Sequence, residues 1–76
     1  MKPNIDFISD AEIKENVLLV LKLQQSVETK KLVKKVANNF GFKSTSKKTS
    51  KRITDVIDYM IGKEEATNNE GRIELL

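Results

Sequence analysis

FGFKSTS, residues 40–46, is the stretch that decides the fold, because it separates two segments whose apolar residues recur at helical spacing. Gly41 provides the left-handed residue with which helices commonly end, and Phe42 just beyond it can pack back onto the same helix. The hydroxyls of Thr45 and Ser46 suit the residue that begins the next helix. The sequence therefore predicts two helices joined by a sharp turn.

Upstream of this turn, apolar residues recur every three or four positions from Leu32 to Phe40, and lysines fill most positions between them. This pattern predicts an amphipathic helix 2 with a basic outer side. Either Glu28 or Thr29 can cap its start. The isolated apolar Val27 before it predicts a short strand or an extended joint.

Downstream of the turn, helical spacing links the apolar residues from Ile53 to Met60, and one turn earlier it places Thr49 on the same inner face. Helix 3 is therefore predicted to begin near Thr45 or Ser46 and to end at Gly62. The residues that it directs outward are Lys47, Lys48, Lys51 and Thr54.

A first helix is predicted before Val27, since Ser9 and Glu12 have the spacing of a capping box. Its inner face consists of Ile13, Val17, Val20, Leu21 and Gln24, and Leu18, Leu19 and Leu23 widen the apolar surface. Two interpretations remain open. Helix 1 is the central core helix of a small domain, or it also forms a dimer interface through Leu18 or Leu19. Residues 1–8 are predicted to be a flexible N-terminal arm.

The C-terminal part of the chain predicts a β-hairpin. Segments 65–67 and 72–75 read as strands that flank the turn-rich residues 68–71. Because two strands alone are marginally stable, the hairpin is expected to pack on the helices through Ala66, Ile73 and Leu75, with the Val27 region as a third strand. The predicted fold class is α+β, mostly α, in one domain spanning residues 1–76.

The order helix, strand, helix, helix, hairpin, with a tight glycine turn between helices 2 and 3, resembles the winged helix-turn-helix family. A narrower resemblance is to the small winged-helix modules at the ends of large bacterial helicase or nuclease proteins. It rests on Val36-Ala37, Phe40-Gly41-Phe42-Lys43, Thr45, Arg52-Ile53 and Gly71-Arg72-Ile73. The chain departs from those modules at Ser46, where they often have glycine, and at Thr49, where they have an apolar residue.

The charge distribution points to a polyanionic partner such as DNA or RNA. Residues 29–52 carry nine positive charges and no negative one, whereas the rest of the chain is net acidic, so the formal charge of +3 hides one strongly basic region. Solvated surface is the competing interpretation of lysine-rich faces. Because Arg52 is the only arginine in the block, phosphate contacts are favoured over guanine recognition, and five to six of them imply a log-log salt slope of about −5.

The resemblance to winged helix-turn-helix proteins implies binding of double-stranded DNA, in which helix 3 enters the major groove and the hairpin wing reaches a flank. It implies DNA-binding roles for Lys30, Lys31, Lys43, Ser44, Thr45, Lys47, Lys48, Ser50, Lys51, Arg52, Thr54 and Arg72. Lys34 and Lys35 are expected to lie too far around helix 2 to share this surface. The acidic wing is expected to contribute little.

Several classes of function are excluded or disfavoured. The chain has no Cys and no His, which excludes zinc fingers, disulfide frameworks and Ser-His or Cys-His catalysis. No enzyme activity, cofactor or metal is expected, since Asp55 and Asp58 have no third ligand nearby. The longest apolar run, residues 17–21, is too short to span a bilayer, and a cytoplasmic location follows by default.

Two further expectations bear on the partner. The aromatic residues Phe7, Phe40, Phe42 and Tyr59 are predicted to be core or cap residues, with Tyr59 the most exposed, which disfavours single-strand binding by stacking. The alternative function is a protein-docking winged helix, such as a small phage or plasmid inhibitor or a docking domain of a larger enzyme.

Overall fold

The computed structural model describes residues 4–76, in which three α-helices and three short strands follow one another in the order helix, strand, helix, helix, strand, strand. The helices are α1 (Asp10–Gln24), α2 (Thr29–Asn39) and α3 (Lys47–Gly62), and the strands are β1 (Ser26–Glu28), β2 (Ala66–Asn69) and β3 (Arg72–Leu75). The predicted fold class, α+β and mostly α, is confirmed, and its three helices and antiparallel sheet are consistent with a winged-helix-like arrangement.

Side-chain caps begin two of the helices where the sequence predicts them. At α1, the Ser9 hydroxyl accepts the Glu12 amide at 3.1 Å and the Glu12 carboxylate accepts the Ser9 amide at 3.3 Å. At α3, the Ser46 hydroxyl accepts the Thr49 amide at 3.2 Å and donates to the Thr49 hydroxyl at 3.1 Å. Ser46 is thus the cap, and its bond allows the polar Thr49 to lie only 3% exposed at an otherwise apolar position.

The turn between α2 and α3 is confirmed in detail. Gly41 has a φ of 93°, in the left-handed region, and its amide donates to the Asn38 carbonyl at 2.9 Å. The Phe42 amide donates back to the Ala37 carbonyl at 3.0 Å, and its half-buried ring packs against the core. Both bonds satisfy carbonyls that the end of a helix leaves unpaired.

The hairpin is confirmed, but its turn is shorter than predicted. Asn69 pairs with Arg72, so only Glu70 and Gly71 form the turn, with φ of 54° and 89°. Two successive positive φ values are typical of the type I′ turn that suits strand twist. The prediction that Asn68 lies in the turn was wrong, since it belongs to β2, where its side-chain oxygen accepts the Gly71 amide at 2.8 Å.

The third strand predicted at Val27 is also confirmed. The sheet order is β1-β3-β2, all antiparallel, with Val27 opposite Ile73 and Ala66 opposite Leu75. Strand β1 runs directly into α2, whose first residue is Thr29. The amide and the hydroxyl of Thr29 both donate to the Gly71 carbonyl at 2.9 Å, and these two bonds connect the hairpin turn to the start of α2.

A single apolar core joins the helices to the sheet. Its buried members are Ile5, Ile13, Val17, Val20, Leu21, Val27, Leu32, Val33, Val36, Ala37, Ile53, Val56, Ile57, Met60, Ala66 and Ile73. On α1, Gln24 is exposed, so its predicted place on the inner face was wrong, because the helix ends there. Leu19 and Leu23 are 51% and 76% exposed, and Leu18 is half-buried.

The N-terminal segment departs from the predicted flexible arm. Residues Ile5–Phe7 form one turn of 3-10 helix, and Ile5 is 2% exposed within the core. Residues 1–3 of that predicted arm lie outside the described residues. Phe7, predicted to be buried, is 83% exposed, because the turn directs Ile5 rather than Phe7 inward. Tyr59 is exposed, as expected, at 59%.

Candidate nucleic-acid interface

A groove of about 600 Å³ lies between α2 and α3 on the basic side of the domain. Its walls are formed by Thr29, Lys30, Val33, Lys34, Lys43, Ser44, Thr45, Ser50 and Thr54. These residues bring three ammonium groups and five hydroxyls to one concave surface, and no carboxylate is among them. This surface is termed the basic groove below.

Three local patterns build the basic groove. Lys30 and Lys34 lie four residues apart on α2, so they share one side of that helix. Ser50 and Thr54 have the same relation on the facing side of α3. The turn ending at Ser46 carries Lys43 and its neighbours across the gap, next to the N-terminus of α3, whose unpaired amides add partial positive charge. The sharp turn therefore assembles the groove.

Lys34 was missed by the sequence analysis. The expectation that it lies too far around helix 2 was wrong, since it lines the basic groove together with Lys30 and Lys43. The spacing of four residues places Lys34 on the same side of α2 as Lys30. Lys31 and Lys35 have the same spacing, so spacing alone does not show which pair lines the groove. Lys35 does not line the groove, nor do Lys31 and Lys47, which are exposed elsewhere on the basic side.

The lysines of the groove differ from other cations of the same block in their electrostatic surroundings. Within residues 4–76, the groove lysines Lys30, Lys34 and Lys43 form no ion pair, and outside the groove Lys31, Lys35 and Lys47 form none either. By contrast, Lys48 pairs with Asp6 of the N-terminal turn, and Lys51 pairs with Asp55 at 3.2 Å along α3. Both of these lysines are largely exposed, and such surface pairs contribute only about 0–1 kcal/mol, so a phosphate can displace either carboxylate.

The guanidinium of Arg52 is engaged in contacts within the protein rather than left free for a ligand. Its guanidinium donates to the carbonyls of Ile5 at 3.2 Å and Ile8 at 2.9 Å, and to the Asp10 carboxylate at 2.7 and 3.0 Å. Its side chain is only 30% exposed. The planar fork of arginine suits such a divergent set of acceptors, so Arg52 clamps the N-terminal turn onto α3.

Replacing Arg52 by Lys keeps the charge but removes the fork. We expect Arg52→Lys to lower the free energy of unfolding by about 1–2 kcal/mol, since one ammonium cannot reach all three acceptors. Urea denaturation followed by circular dichroism measures the change. The conservative substitution Lys51→Arg, at an exposed position on the same helix, serves as the control and should change stability by less than about 0.5 kcal/mol. An Arg52→Lys variant as stable as the wild type would contradict the clamp.

The wing borders the basic groove with mixed charge. Arg72 donates to the Ser26 hydroxyl and to the Ser26 carbonyl, both at 2.9 Å, and so bridges β3 to β1. A shallow surface beside it is lined by Glu28, Thr29, Lys30, Glu70, Gly71 and Arg72. Its two carboxylates lie next to the start of α2, and they mark the edge at which the positive surface ends.

A second groove, between α1 and α3, has a similar volume of about 590 Å³ but balanced charge. It is lined by Asp10, Ala11, Lys14, Arg52, Asp55, Val56 and Tyr59. Lys14 donates to Glu65 at 2.8 Å, and this hydrogen bond raises the pKa of the Lys14 ammonium. The stability linked to this raised Lys14 pKa is fully present just below pH 10.5, the ordinary pKa of Lys14, and is lost as the pH rises through the higher folded value.

Residues 4–76 offer neither a cluster of metal ligands nor a helix that could span a membrane. That range contains no group of three or more Asp or Glu side chains arranged to hold a metal ion. Its helices include none with the length and apolar character needed to cross a membrane.

Comparison with known protein families, with curated proteins and with solved structures found no match to this chain. The resemblance to winged helix-turn-helix proteins therefore depends on the order and packing of the elements, and the basic groove is the feature from which a function can be inferred.

Proposed function

We propose that this protein binds double-stranded DNA through the basic groove and the N-terminal half of α3, in transcription regulation or another DNA transaction. The observation that carries this proposal is the cluster of Lys30, Lys34 and Lys43 around one concave surface without a carboxylate. Ammonium and hydroxyl groups are the donors that proteins most often direct at backbone phosphates. A phosphate backbone is the partner that this combination fits best.

A duplex is favoured over a single strand by the position of the exposed aromatic residues. Single-strand binding without sequence preference depends on aromatic rings that stack on bases along a basic channel. The exposed rings are those of Phe7 and Tyr59, and neither lines the basic groove. The groove can therefore bind a nucleic acid through ion pairs and hydrogen bonds but not through stacking, and the phosphates of a duplex can accept both kinds of contact.

Binding is expected to be weakly sequence-specific. No arginine lines the basic groove, so the bidentate contact that most often reads guanine is missing from it. Thr54 is the groove residue proposed for a base-edge contact. Phosphate contacts then supply most of the binding affinity, and dissociation constants of ~10⁻⁴ to 10⁻⁶ M are expected at physiological salt.

An NMR titration with a duplex of random sequence tests the proposal. At low salt, we expect the amide shifts to concentrate in residues 29–34 and 43–54, with a smaller effect from a single strand of equal length. Four phosphate contacts, from Lys30, Lys34, Lys43 and Lys47, predict a log-log salt slope of about −3.6. A slope near −5.4 would indicate that Lys48 and Lys51 also leave their carboxylates for phosphates.

Duplex-induced shifts located elsewhere would contradict binding through the basic groove. No shifts in a folded protein would contradict DNA binding and favour the second candidate function. That candidate is a protein-docking winged helix, and the exposed Leu19 and Leu23 of α1 are the observation that favours it. The two functions use different surfaces, so one titration separates them.

The proposal places the protein in the cytoplasm and gives it no enzymatic role. The hydroxyls of the basic groove have no neighbouring His or Cys, because the chain contains neither. No carboxylate is among the described residues that line the groove, so the proposal assigns its hydroxyls to phosphate contacts and not to nucleophilic catalysis.

A further inference from the structure

The outer side of α1 carries a strip of apolar and charged residues that the proposed DNA-binding surface does not use. It consists of Glu15, Leu18, Leu19, Lys22 and Leu23, termed the α1 strip. Leu19 and Leu23 are 51% and 76% exposed. Glu15 and Lys22 are both exposed, and neither forms an ion pair within the part of the chain that the structure describes.

The order of charges along the α1 strip is self-complementary. Glu15 and Lys22 are seven residues apart, about two helical turns, so they lie on the same side of α1. Leu18 and Leu19 stand at the midpoint between them. A two-fold axis through that midpoint, perpendicular to the helix, places Glu15 of each copy opposite Lys22 of the other copy. The dimer therefore contains two equivalent Glu15–Lys22 pairs.

We infer that the α1 strip is the interface of an antiparallel homodimer, with a second copy of this chain as its occupant. In that arrangement Leu18 and Leu19 of the two copies pack together, and two Glu15–Lys22 pairs flank them. Leu23 lies one turn beyond Leu19 at each end of this contact.

Other occupants fit the α1 strip less well. A uniformly acidic partner meets Glu15, and a uniformly basic partner meets Lys22, so each leaves one like-charge contact. An anionic membrane surface is likewise opposed by Glu15 and by Glu12, which is exposed one turn earlier on the same side. Only a partner with the reversed order of charges satisfies both ends, and a second copy related by a two-fold axis has that order.

The dimer is expected to be weak. Stable interfaces bury about 800 Å² per partner, and the whole described chain exposes 5304 Å², of which this strip is a small part. Dissociation constants of ~10⁻⁵ to 10⁻³ M are typical of an interface of this kind. The inference does not depend on DNA binding, because the basic groove lies between α2 and α3 and does not include the α1 strip.

Sedimentation equilibrium of the full chain from about 10 μM to 1 mM tests the dimer. We expect the wild type to shift from monomer to dimer over this range. Leu19→Gln with Leu23→Gln should leave a monomer throughout, whereas Phe7→Gln, at another highly exposed apolar residue, should leave the dimer unchanged. Circular dichroism confirms that each variant is folded.

A charge exchange distinguishes the antiparallel interface from unspecific apolar association. Glu15→Lys and Lys22→Glu should each weaken dimerisation roughly tenfold, since each replaces two attractive pairs by two repulsive ones. The double variant carries both charges in reversed order and should recover to within about threefold of the wild type. A wild type that stays monomeric at 1 mM, or a double variant weaker than both single variants, would overturn the inference.

Discussion

Lys34→Glu combined with Lys43→Glu is expected to lower the affinity for duplex DNA by about two orders of magnitude at low salt. Both residues line the basic groove and form no ion pair within residues 4–76, so each reversal removes a phosphate contact and adds a repulsion. The loss of two contacts should also make the log-log salt slope shallower by about 1.8. Fluorescence anisotropy with a labelled duplex at several salt concentrations measures both quantities.

The matched control is Lys35→Glu combined with Lys63→Glu. It changes the net charge by the same amount, and Lys35 directly follows Lys34 on α2, but neither residue of the control lines the basic groove. We expect a loss of no more than about fivefold, from the weaker long-range field, and little change in salt slope. Equal losses in the two variants would show that net charge alone governs binding, and the basic groove would then have no special role.

Leu32→Ala is expected to remove most of the folding stability of the protein at 25 °C. Leu32 is 0% exposed, on the face of α2 that packs into the core. Truncating a buried leucine costs about 2–5 kcal/mol, and a domain of this size has a net stability of only about 3–5 kcal/mol. The substitution therefore removes most of the margin by which the native state is favoured.

Far-ultraviolet circular dichroism and urea denaturation measure this effect. Leu76→Ala is the matched control, because Leu76 is 74% exposed, and its truncation should change stability by less than about 0.5 kcal/mol. A folded Leu32→Ala variant that has lost less than about 1 kcal/mol would show that the core rearranges to fill the space.

The elements predicted correctly from sequence are those whose signals lie within a few residues of each other. Ser9 and Glu12 form their capping box three residues apart, and Ser46 caps α3 through Thr49 at the same spacing. The end of α2 at Gly41 likewise depends only on hydrogen bonds from Gly41 and Phe42 to carbonyls of the same helix. Such bonds are local, so the residue types and their spacing are sufficient to predict them.

The hairpin turn and the N-terminal segment show where local signals fail. Glu70 adopts a φ of 54°, a conformation for which glutamate has no special preference, so composition favoured the neighbouring asparagines as turn residues. Ile5 is buried in the core, and its carbonyl accepts a hydrogen bond from Arg52 of α3, 47 residues away. Neither outcome follows from spacing along the chain.

The same limit applies to the candidate site. The sequence shows nine cations in one block but not that Asp6 and Asp10 return to Lys48 and Arg52 from 42 residues earlier. The number of uncompensated cations was therefore overestimated. Conversely, Lys34 was left out of the predicted site. The angle between α2 and α3 decides which side of α2 faces the groove, and this angle does not follow from the sequence pattern.

Two hydrogen bonds from Thr29 to the Gly71 carbonyl couple the hairpin turn to the start of α2, so Gly71 is expected to respond to ligand binding at α2. Thr29 stands in the wall of the basic groove, next to Lys30, while Gly71 sits at the tip of the hairpin. A ligand that displaces the first turn of α2 is expected to change these bonds, and with them the environment of the peptide group between Gly71 and Arg72. With only three glycines in the chain, the Gly71 resonance is easily resolved, and it reports occupancy from a place that the ligand need not touch.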